Sequence, residues 1–185
     1  MLINLKFLFN FNRIKTLQIM KHLLLLLIAG SFIFGCTPRS SDKKNITIIE
    51  NYISSVENLE YTTMASLLDD NYIGYGPSYG DSINKTQALE SWKYNIENIY
   101  KSIKYNKSRN TAVTISSGAN KGEWVSNWGE LNIKYKNGND EVTIWANSIY
   151  KIENGKIVKS YTFYNEADAL RQLGYIFVKP EDLNQ

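Results

Sequence analysis

The sequence predicts an α+β domain in which N-terminal helices pack on one curved antiparallel sheet. Three observations predict it. Apolar residues recur at helical spacing between residues 46 and 100. From Ile103 onward the pattern switches to the alternation of strands. Asn137-Gly138 and Asn154-Gly155 each separate two alternating runs, and Asn-Gly in that setting is the strongest short-range signal for a two-residue hairpin turn.

The chain opens with a leader. Lys21-His22 precedes a nearly unbroken apolar run from Leu23 to Phe34, and Gly35-Cys36 follows. A bilayer needs about 20 apolar residues, so this shorter run fits the h-region of a secretory signal instead. Met20 can serve as the start, because MKHLLLLL is already a complete n- and h-region. A small residue directly before a lone cysteine resembles the lipobox of bacterial lipoproteins. The resemblance implies that residues 1–36 are a signal segment and that Cys36 is lipidated as the mature N-terminus. It also implies a membrane-anchored, extracytoplasmic protein of the cell envelope. Residues 37–45 (TPRSSDKKN) are polar and read as a tether, which leaves 46–185 for the domain.

Within the domain, Thr47-x-x-Glu50 has the form of a capping box, and Ile49, Tyr52, Ile53 and Val56 follow at helical spacing. A second short helix is expected over residues 61–69, with Met64, Leu67 and Leu68 inward. Residues 70–80 (DNYIGYGPSYG) carry three glycines and a proline, so a strand fragment and a loop are expected there. Asn84 suits the N-cap of a third helix reaching about Tyr100, with Leu89, Trp92, Ile96 and Ile99 on one face. The meander occupies the rest, with one brief helical turn before Gly174.

Composition excludes several chemistries. Four of the 21 bases and none of the 18 acids precede Cys36, so the remainder carries 17 bases against 18 acids. No electrostatic pull toward nucleic acid is left. His22 is the only histidine and Cys36 the only cysteine, and both belong to the leader. Ser-His-Asp and Cys-His catalysis are thereby excluded, as are His- or Cys-ligated zinc and iron. No phosphate-cradling Gly-rich loop ending in Lys-Ser/Thr occurs. No metal and no cofactor is expected.

A two-residue turn at Asn154-Gly155 pairs Ile152 with Ile157 and, along a straight ladder, Asn147 with Thr162 and Trp145 with Tyr164. One face then holds Trp124, Ser126, Trp128, Glu130, Asn132, Trp145, Asn147, Ile149, Val158, Ser160, Thr162 and Tyr164. The other holds Leu131, Ile133, Tyr135, Val142, Ile144, Ala146, Tyr150, Ile152, Ile157, Tyr161 and Phe163. Parity leaves two readings open. Either the aliphatic face is the core and the tryptophan face is solvated, or the tryptophan face lines a cavity under the helices. In the second case the aliphatic face needs a partner sheet, hence a homodimer.

The order helix-helix-loop-helix, then a meander ending NGKIVKSYTFYN and LRQLG, resembles the nuclear transport factor 2-like superfamily over residues 46–175. That group includes SnoaL-type cyclases and ketosteroid isomerases. The resemblance implies a cone-shaped domain whose sheet curls around a pocket, with the helices over its concave side. The isomerase oxyanion donor eight positions before the turn glycine falls on Asn147, the pocket aromatic after the turn on Tyr164, the first-helix tyrosine on Tyr52 and a third-helix aromatic on Trp92. The tryptophan face thereby becomes the pocket side, with Tyr52, Tyr75, Trp92, Trp128, Trp145, Asn147, Ser160, Thr162 and Tyr164 as its lining. The isomerase general base is an Asp before a Pro, and here that stretch reads Tyr75-Gly76-Pro77, without a carboxylate.

The resulting expectation is a lipid-anchored pocket protein for a small, mostly apolar or aromatic molecule, non-catalytic or weakly catalytic. The alternative is a cofactor-independent isomerase or cyclase in which Glu130 abstracts a proton and Tyr52 with Asn147 stabilises the oxyanion. Asp70 is a second, more distant carboxylate. A structural dimer module of an envelope complex is the third reading.

Overall fold

The computed structural model describes residues 39–138 and 141–184. The leader, Cys36 and the start of the expected tether lie outside the described residues.

Helix α1 spans Ser40–Glu57 and so includes residues 40–45, which the sequence reading assigned to the tether. The start lies upstream of the expected Thr47 box because Asp42 supplies the cap: its Oδ2 accepts the Arg39 N–H at 3.0 Å. The inward stripe is as expected, with Ile49, Tyr52, Ile53 and Val56 all buried. Helix α2 (Tyr61–Leu67) buries Met64 and stops at Leu68, which opens strand β1 (Leu68–Tyr75). Strand β2 (Ser82–Asn84) leads into α3 (Lys85–Asn98). Asn84 caps α3 reciprocally: its Oδ1 accepts from Gln87 N at 3.0 Å, and its own N–H donates to Gln87 Oε1 at 2.9 Å. Strands β3 (Tyr100–Ile115), β4 (Gly122–Tyr135), β5 (Glu141–Glu153) and β6 (Lys156–Tyr164) form the meander, and α4 (Glu166–Gln172) follows.

The six strands make one open, curved sheet in the order β2-β1-β6-β5-β4-β3. All pairings are antiparallel except β1 with β6, which is parallel. The expected sheet was antiparallel throughout. The loop region after α2 instead contributes a full strand, and β2, α3 and the first three strands of the meander supply the long connection that a parallel neighbour needs.

The turn at Asn154-Gly155 has positive φ at both residues, 50° and 76°, the geometry that fits a two-residue hairpin to the twist of its strands. Beyond it the ladder is not straight. Ile152 pairs with Ile157, but Lys151 pairs with Lys159, so Val158 is an extra residue. Every later residue of β6 is displaced by one. Ala146, not Trp145, opposes Tyr164, and Asn147 opposes Phe163. The β4–β5 parity is as expected, with Trp128 opposite Asn147 and Glu130 opposite Trp145.

The consequence is a reversal. The helices cover the aliphatic face: Val125, Leu131, Ile133, Val142, Ile144, Tyr150, Ile152 and Ile157 join Ile49, Tyr52, Ile53 and Val56 in one buried cluster. The bulge turns Ser160, Thr162 and Tyr164 to that same covered side. Trp128 and Trp145 lie on the outer face, 43% and 63% exposed. Their placement in a cavity is therefore corrected. The physical reason is that α1 carries an apolar stripe, Ile49, Tyr52, Ile53 and Val56, to which α2 adds Met64 and α3 adds Ala88, and these find their match in the aliphatic face.

A second irregularity bends the sheet. The β3–β4 register shifts between Asn106 and Arg109, where Lys107 takes φ 52°. Buried Asn127 holds this bulge, its Nδ2 donating to Ser108 Oγ at 2.8 Å and to Asn110 Oδ1 at 2.9 Å. Such bulges deepen the curvature that lets a sheet enclose a hollow.

Candidate functional site

The hollow lies between α1, α3 and the covered face of the sheet. It measures about 160 Å³, and its lining includes Tyr52, Tyr72, Trp92, Tyr105, Ser148, Tyr150, Ser160 and Thr162. Aromatic rings thus converge from five different elements, α1, β1, α3, β3 and β5. Ser148 and Tyr150 reach it because the even-numbered residues of β5 face the helices. Ser160 and Thr162 reach it only through the Val158 bulge.

The polar groups are paired. Tyr72 Oη and Ser160 Oγ are 2.7 Å apart, and Ser148 Oγ and Thr162 Oγ1 are 3.1 Å apart. Tyr52 and Tyr150 meet edge to face at 5.7 Å. Tyr72 folds over Gly74, whose backbone admits it because no side chain is there: a Cβ on Gly74 would sit 2.5 Å from Tyr72 Oη. Gly74→Ala is accordingly expected to displace Tyr72, break its bond to Ser160 and lower stability by about 1–3 kcal/mol in chemical denaturation.

Burial governs the acid–base character of the lining. It pushes the Tyr52 phenol well above its ordinary value, reinforced by Tyr72, Tyr150 and Tyr105 and partly opposed by the Trp92 side chain. Burial raises Tyr72 as well, opposed by its bond to Ser160, and raises Tyr105, reinforced by Tyr150 and Glu57. Tyr150 is pushed up to about 12, again chiefly by burial. All four phenols are protonated at neutral pH, so they act as hydrogen-bond donors and neutral walls rather than as bases.

Several residues singled out in the sequence stand elsewhere. Glu130 is on the outer face, where its Oε2 accepts from Lys107 Nζ at 2.8 Å. It cannot reach a molecule in the cavity. Asn147 is also outside, its Nδ2 donating to Ser126 Oγ at 3.1 Å and to Asn127 O at 2.9 Å. Tyr75 borders the cavity, but its ring stacks on Tyr161 of the outer face at 4.9 Å. Tyr164 is on the covered side, packed against the core but outside the hollow's lining. Asp70 is exposed and bonded to Lys85 at 2.8 Å, which together hold its carboxyl below the usual range. Of the expected lining, Tyr52, Trp92, Ser160 and Thr162 line the hollow. The sequence reading missed Tyr72, Tyr105, Ser148 and Tyr150. Ile103 and Tyr105 share the parity of a core face, and Ile157-Val158 breaks strict alternation, so both signals were present. Among the described residues no group of three or more acidic side chains forms a metal site.

No protein-family model matches the chain, and no curated protein matches it. Solved structures do. A proposed polyketide cyclase of Xanthomonas campestris superposes with a TM-score of 0.61 at 9% identity, covering 72% of this chain and 99% of that one. An epoxide hydrolase of the LEH-like type from Mycobacterium tuberculosis gives 0.53 at 14% identity, covering 72% and 91%. A Catenulispora acidiphila protein with a ketosteroid isomerase-like fold, in complex with trimethylamine, gives 0.55 at 10% identity, covering 71% and 97%. At these identities the likeness concerns architecture alone: the chain has the cone-shaped fold of nuclear transport factor 2-like proteins, a curved, unclosed sheet under N-terminal helices.

Proposed function

We propose that the domain binds a small, mostly apolar or aromatic molecule in the tyrosine-lined hollow and does not transform it. The supporting observation is the lining itself, in which aromatic rings and neutral hydroxyls meet and no carboxylate, amine or imidazole faces inward. Proton abstraction needs a base within hydrogen-bond reach, and phenols held protonated by burial do not supply one. The small volume suits a ligand of few heavy atoms, well below the drug-sized range of about 300–1,000 Å³. The trimethylamine in the complex of the similarly folded Catenulispora protein is a small molecule of that order and supports the same reading.

The reading places the protein in the cell envelope, anchored through Cys36. Acyl labelling is expected to disappear in Cys36→Ala, and labelling that persists would remove the anchor. The expected homodimer through the aliphatic face is corrected, because the helices cover that face; the reading moves it to the outer face, where Trp128, Trp145 and Phe163 are exposed together. Two such faces pack as a sheet sandwich related by a two-fold axis.

The pocket itself is tested by mass spectrometry of small molecules that co-purify with the protein. A compound of low mass is expected with the wild type and not with Ser148→Leu, whose added side chain occupies the hollow. Equal recovery from both proteins would place the ligand elsewhere.

A further inference from the structure

The hollow combines two features that together select charge. Its lining includes the electron-rich rings of Tyr52, Tyr72, Trp92, Tyr105 and Tyr150, with Tyr75 at its border, and no charged side chain is among the lining residues. Directly behind one wall stands a carboxylate: Glu57 Oε1 accepts the backbone N–H of Tyr105 at 2.8 Å in a partly buried position. Among the described residues no lysine or arginine lies within salt-bridge distance of Glu57. Ring faces carry the negative end of the aromatic quadrupole, and an uncompensated carboxylate adds to the same sign.

We propose that the occupant is a small alkylammonium cation, held by cation–π attraction to the ring cage with Glu57 as the distant counter-charge. This rests on the hollow being the binding site. An anion would meet phenolic donors but no positive charge, and Glu57 opposes it. A neutral molecule of the same shape gains the apolar contacts but not the charge–quadrupole attraction. The size agrees. A liquid water occupies about 30 Å³, so 160 Å³ corresponds to about five waters, the scale of a methylated ammonium head group.

The test titrates the full-length chain with tetramethylammonium and, separately, with tert-butanol as a neutral probe of similar shape, reading Trp92-dependent fluorescence and calorimetric heat. Tetramethylammonium is expected to bind at least about tenfold more tightly than tert-butanol. Tyr105→Phe, which keeps the ring, is expected to retain binding, and Tyr105→Leu to lose it by about tenfold or more. Glu57→Gln is expected to weaken the cation several-fold and leave the alcohol unchanged. Equal affinity for the two probes would overturn the cation while leaving the pocket intact. Failure of both probes to bind, in a protein shown to be folded by its denaturation transition, would overturn the cation and the pocket together. Loss on Tyr105→Phe would assign the site to phenolic hydrogen bonding and overturn the cage.

Discussion

Ser160→Asp is expected to destabilise the domain by about 3 kcal/mol or more at neutral pH, while Phe163→Asp changes the stability of the monomer by less than about 0.5 kcal/mol. Ser160 is buried on the covered face and bonded to Tyr72, so a carboxylate there enters an aromatic hollow with no cation to meet it. Phe163 is on the outer face and 52% exposed. The pair tests the bulge at Val158 directly, because on a straight ladder the two positions exchange sides. The pH dependence has a definite sign. Burial raises the folded-state pKa of the introduced Asp above its unfolded value, so the penalty is full above the folded pKa. It shrinks as pH falls toward the unfolded pKa of about 3.9. Urea midpoints measured at pH 7 and pH 4.5 read both effects. Equal losses for the two variants would contradict the displaced register.

Ile157→Ala is expected to cost about 2–5 kcal/mol, whereas Trp145→Ala costs less than about 1 kcal/mol in the monomer. Ile157 is fully buried, paired with Ile152 on one side and with Leu68 of the parallel strand on the other. Its truncation leaves a cavity in the middle of the sheet where neither neighbour can collapse freely. Trp145 is the larger residue but keeps most of its surface in water, with Lys107 lying 5.8 Å from its ring centre. Denaturation midpoints at low protein concentration compare the two. Trp145 matters in another assay: under the outer-face dimer its removal shifts sedimentation toward monomer without unfolding the chain.

The covered face and the outer face explain how far the sequence could be read. The helix stripe Ile49-Tyr52-Ile53-Val56, the cap at Asn84, the Asn154-Gly155 turn and the shared side of Trp128, Asn147 and Trp145 are all local or depend on parity across one turn. Each needs only a period or a residue type, and each is present in the structure. The strand from Leu68 to Tyr75 was harder, because its partner on the meander side, β6, is 80 or more residues away and that pairing is parallel and irregular. The register after Val158 was not accessible by counting, since one unpaired residue inverts everything beyond it.

The sequence by itself determined the α+β class, the order of the elements, the absence of histidine and thiol chemistry in the domain and the aromatic richness that any site must use. Only the tertiary structure decided which face the helices cover, and with it that Tyr72, Tyr105, Ser148 and Tyr150 surround the hollow while Glu130, Asn147 and the two outer tryptophans do not. The reason is physical. Period and composition act over a few residues, whereas the facing of a strand depends on a ladder summed across its neighbours, where a single bulge reverses the sign.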